Sequence, residues 1–141
     1  MASTSARGLG LPEIRGIDLP VVAQPMVAII DRDRLTAYGL ALLLRDWGYN
    51  SVVGTTADEI YGLTEAKGAS IAAIVADDRP EGGTTGEDEA AALAELAHRA
   101  IPTVVLGSPG GDDTRGMTHI PKPIEPFKLR DLLQTMIRVR S

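Results

Sequence analysis

The chain lacks cysteine, has few aromatic residues, and contains no long apolar run. None of its 141 residues is cysteine, and Phe, Trp and Tyr together make up 4%. Without cysteine, neither a disulfide scaffold nor a thiolate metal site can form, and a reducing compartment, the cytoplasm, is expected. A membrane span needs roughly 18 consecutive apolar residues. The sequence has no such run, so no membrane association is expected.

The charge balance argues against nucleic acid as a partner. There are 19 acidic residues against 14 Lys and Arg, so the formal net charge is −5. A nucleic-acid-binding domain normally carries a basic face. Hydrophobic residues make up 44% of the chain and charged residues 23%, which is ordinary for a globular domain. A chain of this length can bury one core, so a single folded domain is expected.

From residue 26 onward, short apolar segments alternate with amphipathic ones. Strands are predicted at 27–30, 51–53, 71–76, 101–106 and 117–120, and helices at 33–47, 57–67, 87–99 and from 125 onward. This alternation predicts an α/β fold, a flavodoxin-like doubly wound parallel sheet of five strands in the order 2-1-3-4-5. Residues 1–25 show no sustained period. They are predicted to be a flexible tail or linker, or to add a short edge strand at 17–22, and 26–141 is the predicted domain.

Three apolar segments are each followed by a charged side chain. Asp31 follows the first predicted strand, Asp77 the third, and Lys122 the fifth. The carboxyl ends of parallel strands meet at one edge of the sheet, where ligands bind in open α/β folds. We therefore expect two carboxylates and one ammonium to converge on a single small pocket.

These motifs, in this order, resemble those of a response-regulator receiver domain of two-component signalling. Residues 76–86 are similar to the phosphoacceptor strand and loop of that CheY-like family, Lys122-Pro123 to its lysine-proline turn, and residues 43–49 to the end of its first helix. The chain looks most like the receivers that are attached to hybrid histidine kinases. The resemblance implies a signalling module rather than an enzyme, in which Asp77 accepts a phosphoryl group from a phosphohistidine. In-line phosphoryl transfer needs positioning and charge neutralisation, and Lys122 would supply the latter.

The resemblance also implies Mg²⁺ as a cofactor, held by Asp31, Asp77 and water. Receivers usually carry two consecutive acidic residues after the first strand, and here Arg32 occupies the second position. Two unit charges about 5 Å apart interact by roughly 3 kcal/mol at an effective dielectric near 20, so weak Mg²⁺ binding is expected. Alternatively Arg32 pairs with Asp77 in place of the cation, or it points to solvent while Asp33 turns in as a weak ligand.

Further departures from the family lie in and after the fourth strand. Gly107 stands where receivers have a Ser or Thr whose hydroxyl binds a phosphoryl oxygen, and Ser108 is the candidate to replace it. His119 falls at the aromatic switch position, as a pH-sensitive group or as an ordinary half-buried histidine. Residues 107–116 are rich in Gly without an apolar stripe, so the fourth helix of receivers is predicted to be missing there. The exposed sheet face would be open to a partner or to a second copy, as a homodimer.

A second apolar stripe on the first helix suggests a protein partner. It consists of Leu35, Tyr38 and Leu42, and the resemblance implies that this face binds a histidine kinase or a histidine phosphotransfer protein. Burial of the stripe under the N-terminal tail is the alternative. At the level of function, the alternative to a phosphorylated receiver is a pseudo-receiver, an interaction module that works without phosphorylation.

Overall fold

The computed structural model describes residues 24–67, 70–78, 84–107 and 115–140. Strands and helices alternate along these ranges, in the order β1 Met26–Ile30, α1 Arg34–Asp46, β2 Asn50–Gly54, α2 Ala57–Lys67, β3 Ile71–Asp77, α3 Gly86–Leu96, β4 Thr103–Leu106, β5 Thr118–Ile120 and α4 Pro126–Arg140. The predicted N-terminal tail, except for its last two residues, lies outside the described residues. No helix in the described ranges is long and apolar enough to cross a membrane.

The five strands form one sheet in the order β2-β1-β3-β4-β5. Every neighbouring pair in this sheet is parallel. The predicted flavodoxin-like α/β fold with strand order 2-1-3-4-5 is therefore confirmed. The central strands β1 and β3 are apolar along nearly their whole length because helices cover both faces of the sheet, so neither face meets water.

Alternate side chains of the central strands supply two separate cores. On one face, Ala28 and Ile74 pack in a cluster with Ile60 of α2 and Leu93 of α3. On the other face, residues of the same two strands pack with α1 and α4, in a cluster that includes Val27, Val75, Leu44 and Leu133. Full burial of one such side chain contributes about 1.5–3 kcal/mol. The two cores hold the strand ends in fixed positions relative to one another.

A fourth helix is present in chain order, as α4, and it follows β5. The helix that receivers have between the fourth and fifth strands would fall in the connection from β4 to β5. Residues 108–114 of this connection lie outside the described residues, so the predicted loop at 107–116 is described only at its ends. Neither Gly107 nor residues 115–117 are helical.

Helix α3 begins in direct contact with the end of β3, at a glycine. A Cβ added to Gly86 would overlap the backbone carbonyl oxygen of Asp77 and would lie 3.2 Å from the Cβ of Ala76. A side chain at position 86 would therefore force α3 away from the sheet. Because Gly86 has no side chain, the start of α3 can pack directly against the carboxyl end of β3.

We expect Gly86→Ala to lower the free energy of unfolding by about 1–3 kcal/mol, the usual cost of overpacking. Gly62 lies inside α2 with open space where a Cβ would be. The control Gly62→Ala is expected to raise the free energy of unfolding by roughly 0.5–1 kcal/mol, because glycine is a poor helix former. Urea unfolding followed by the fluorescence of Trp47, the chain's one tryptophan, measures both. Wild-type stability in Gly86→Ala would contradict the contact.

Candidate functional site

Two aspartates lie together at the carboxyl edge of the sheet. Asp31 directly follows β1, and Asp77 is the last residue of β3, the neighbouring strand. Both are buried, with 7% and 8% of their surface exposed. They line one pocket together with Arg32, Thr84 and Gly86. The structure thus brings two carboxylates from separate strands into the same small space.

Lys122 reaches Asp77 from the loop that follows β5. Its Nζ donates a hydrogen bond to Asp77 Oδ1 over 2.5 Å. The lysine side chain is 39% exposed, whereas the aspartate side chain is 6% exposed. A charge-assisted hydrogen bond between ionised groups is about twice as strong as a neutral one. The ammonium therefore offsets negative charge at a carboxylate that water scarcely reaches.

Asp33 caps a helix and does not line the pocket. Its Oδ1 accepts hydrogen bonds from the backbone N–H groups of Leu35 and Thr36, at 3.1 and 3.3 Å, and its Oδ2 accepts one from the Thr36 hydroxyl at 2.8 Å. This is the usual role of an aspartate at an N-cap. The weak third metal ligand predicted at Asp33 is therefore not placed in the pocket, because its carboxylate serves the first turn of α1. An aspartate directly before the apolar stripe was the sequence signal for the cap.

Arg32 extends toward the pocket. Its Nη2 lies 3.4 Å from the Thr84 hydroxyl oxygen, at the limit of a weak hydrogen bond. Arg32 also lines the pocket that contains Asp31 and Asp77. Arg32 is an exposed residue whose guanidinium lies beside Thr84 at the pocket, while the Asp33 carboxylate is on the helix.

Asp31 and Asp77 are the two carboxylates of the pocket that could bind Mg²⁺. Among the described residues, no group of three or more His, Cys, Asp and Glu side chains is arranged to hold a metal ion. Mg²⁺ keeps several waters and is usually bound through one or two carboxylates together with substrate phosphates. Asp31 and Asp77 satisfy that smaller requirement. The guanidinium of Arg32 in the same pocket opposes a dication.

Gly107, directly after β4, has a backbone conformation that disfavours the Ser or Thr of receivers. Its φ is +114°, a value that residues with side chains rarely adopt. A Cβ there would lie 2.8 Å from Asp78 Oδ1 and 3.3 Å from Lys122 Cε. A side chain at this position would be strained by the positive φ, and the Asp78 and Lys122 side chains would have to shift to admit it. Ser108, the predicted replacement for the missing hydroxyl, lies outside the described residues.

His119 on β5 is paired with the first turn of α3. Its Nε2 lies 2.8 Å from Glu87 Oε2, and its side chain is 6% exposed. The same turn of α3 is fixed by a capping box between Thr85 and Asp88. The sequence does not indicate this pairing, because acidic residues at the start of α3 also suit the positive end of the helix dipole.

The second stripe of α1 is on the protein surface. The exposed fractions of Leu35, Tyr38 and Leu42 are 84%, 53% and 58%. Tyr38 and Leu42 also line a groove between α1 and the start of β2. The stripe that the sequence predicts as a partner-binding face is largely exposed. The tail that would cover it in the alternative interpretation lies, except for residues 24 and 25, outside the described residues.

The Glu87–His119 pair is expected to be energetically coupled, because the imidazole is buried and its contact joins β5 to α3. Glu87→Ala should lower the free energy of unfolding by about 1–3 kcal/mol in the wild-type background, as loss of one partner leaves a buried polar group unsatisfied. In a His119→Phe background the same change should cost at least about 0.5 kcal/mol less. Glu95→Ala, at an exposed position of α3, is the control. Additive effects of Glu87→Ala and His119→Phe in urea unfolding would contradict the pairing.

Solved structures of receiver domains match the fold of this chain. Chemotaxis protein CheY4 of Vibrio cholerae is 21% identical with a TM-score of 0.66, and the match covers 81% of this chain and 99% of that chain. A response regulator receiver protein of Sinorhizobium medicae is 15% identical with a TM-score of 0.69, covering 84% and 98%. A sensor protein of Polaromonas is 20% identical with a TM-score of 0.66, covering 83% and 98%.

By sequence, no protein-family model and no curated protein matches the chain. At the identities of these solved structures, the likeness concerns the path of the backbone and does not extend to the roles of individual side chains. The chain therefore has the fold of response-regulator receiver domains.

Proposed function

We propose that the protein is a receiver of two-component signalling that takes a phosphoryl group from a phosphohistidine onto Asp77. The observation that carries this proposal is the contact between Lys122 Nζ and Asp77 Oδ1, 2.5 Å long, at the carboxyl edge of the sheet. It places a nucleophilic carboxylate on a strand beside a cation that can stabilise negative charge on the phosphoryl oxygens. The likeness of the fold to receiver domains supports the same conclusion.

In the proposed step a carboxylate oxygen of Asp77 attacks phosphorus in line with the donor nitrogen. The new bond joins this oxygen to phosphorus, and the bond between phosphorus and the donor imidazole breaks. Negative charge then moves from the carboxylate to the phosphoryl oxygens, and the ammonium of Lys122 stabilises it there. Transfers of this kind depend on positioning and electrostatic stabilisation rather than on further covalent chemistry. Burial of Asp77 keeps water from screening the interaction.

Asp31 and Asp77 are the residues that would hold Mg²⁺ in this proposal. When bound, the ion supplies positive charge to the phosphoryl oxygens. Arg32 brings a permanent positive charge into the same pocket. The chain is therefore expected to bind Mg²⁺ more weakly than it would with an acidic residue at position 32.

Incubation with a small-molecule phosphodonor and Mg²⁺ is expected to add one phosphoryl group to the intact mass of the protein. Asp77→Asn should abolish the addition, while Asp46→Asn, an equal charge change at an exposed position on α1, should not. Lys122→Ala should slow the addition by roughly tenfold or more, because it removes the cation that stabilises the transferred charge. Unchanged phosphorylation of Asp77→Asn would contradict the assignment of the acceptor.

Arg32→Asp is expected to tighten Mg²⁺ binding by about tenfold or more, because it replaces a repelling charge by an attracting one near the ion. Isothermal titration calorimetry with Mg²⁺ alone measures the affinity without requiring phosphorylation. Arg45→Asp makes the same change of charge at an exposed position in the last turn of α1 and should leave the affinity unchanged. Equal affinities in wild type and Arg32→Asp would show that Arg32 does not act on the ion.

A second candidate function is a pseudo-receiver that binds its partner without phosphorylation. Arg32 and Gly107 favour it, because the first opposes the metal and the second offers no hydroxyl to a phosphoryl group. Failure of the folded wild-type protein and of Arg32→Asp to take up a phosphoryl group would favour the pseudo-receiver.

Under either function, we propose that the exposed stripe of Leu35, Tyr38 and Leu42 contacts the helical bundle of a histidine kinase or a histidine phosphotransfer protein.

A further inference from the structure

The residue after the proposed acceptor is a second carboxylate held close to the same lysine. The backbone N–H of Asp78 donates to the carbonyl of Leu106 at 3.1 Å, which fixes its backbone to the end of β4. Its Oδ1 lies over Gly107, 2.8 Å from the place where a Cβ would be. The carboxylate therefore fills the space that a side chain at position 107 would need.

The aliphatic stem of Lys122 borders the same space. The Cε of Lys122 lies 3.3 Å from the place where a Cβ at Gly107 would be. Asp78 Oδ1 borders the same place from the other residue's side chain. The two groups thus lie within about 6 Å of each other, less than the Debye length of about 8 Å at physiological ionic strength. The Asp78 carboxylate is therefore a neighbour of the Asp77–Lys122 ion pair. It carries the same sign of charge as a phosphoryl group added at Asp77.

We propose that Asp78 is an electrostatic brake on phosphoryl uptake at Asp77, and that Gly107 is the glycine that gives it room. This proposal rests on the proposed function of Asp77. An anionic donor that approaches Asp77 is repelled by Asp78, and so is the phosphoryl group once its bond to Asp77 has formed. The site accepts a phosphoryl group more slowly than its Asp77–Lys122 pair alone would allow. Asp78 acts through its charge and forms no bond to phosphorus.

The charge of Asp78 can be removed without changing its shape, by Asp78→Asn. The initial rate of phosphoryl uptake from a small anionic phosphodonor, measured by intact mass, is expected to rise about three- to tenfold. Added salt should accelerate the wild-type protein more than Asp78→Asn, because it screens the repulsion. Asp46→Asn, at an exposed position on α1, carries the same change of charge and should retain the wild-type rate and salt dependence.

The placement of Asp78 over Gly107 has its own test, which does not involve phosphorylation. Gly107→Ser should destabilise the wild-type protein in urea unfolding and should destabilise Asp78→Ala less, because the carboxylate that blocks the side chain has been removed. The strain of the positive φ remains in both backgrounds and cancels in the comparison. Equal costs of Gly107→Ser in the two backgrounds would overturn the placement, and with it the proposal.

The outcomes separate this inference from the proposed function. Equal rates and equal salt dependence in wild type and Asp78→Asn, with phosphorylation present in both, would overturn the brake and leave Asp77 as the acceptor. Loss of the added phosphoryl group in Asp78→Asn would overturn the brake by making Asp78 the acceptor. Absence of phosphorylation in both proteins, whether or not residues 78 and 107 are coupled, would overturn the proposed function and the brake together.

Discussion

The contact between Lys122 and Asp77 is the interaction on which the rest of the site depends. It joins the loop after β5 to the last residue of β3, across the intervening strand β4. An ionised carboxylate withdrawn from water carries a desolvation penalty of several kcal/mol unless a counter-charge is placed beside it. Lys122 supplies that charge. The loop after β5 thereby places a counter-charge at the carboxyl end of β3.

The path of the Lys122 side chain bears on why a glycine, Gly107, follows β4. On its way to Asp77, the stem of Lys122 lies beside the place where a Cβ at Gly107 would be, and the Asp78 carboxylate borders the same place. A serine or threonine at position 107 would meet both groups and would also have to adopt a positive φ. The glycine at position 107 thus fits the arrangement of two neighbouring side chains, Asp78 and Lys122.

The sequence predicts the parts of this structure that depend on strand periodicity. Buried apolar runs predict β1 and β3 as central strands, and the positions of Asp31, Asp77 and Lys122 after such runs predict that they meet at one edge. The sequence does not distinguish the two uses of Asp33, because a carboxylate before a helix can cap the helix or bind a metal. The pairing of Glu87 with His119 depends on the angle at which α3 approaches β5, and residues 32 positions apart carry no local signal of it. The position of Asp78 depends on the backbone conformation at Gly107, which a glycine permits but does not dictate.

The proposed role of Asp77 is to bind a phosphoryl group, with Lys122 as its counter-charge. The most direct test is a crystal structure of the full chain with Mg²⁺ and beryllofluoride, which imitates a phosphoryl group on a carboxylate. This role predicts beryllium bonded to an oxygen of Asp77, with Lys122 Nζ within hydrogen-bond distance of a fluorine and Asp31 beside the metal. Beryllofluoride on Asp78, or a crystal in which Asp77 keeps its bond to Lys122 and carries no beryllium at saturating concentrations, would contradict it.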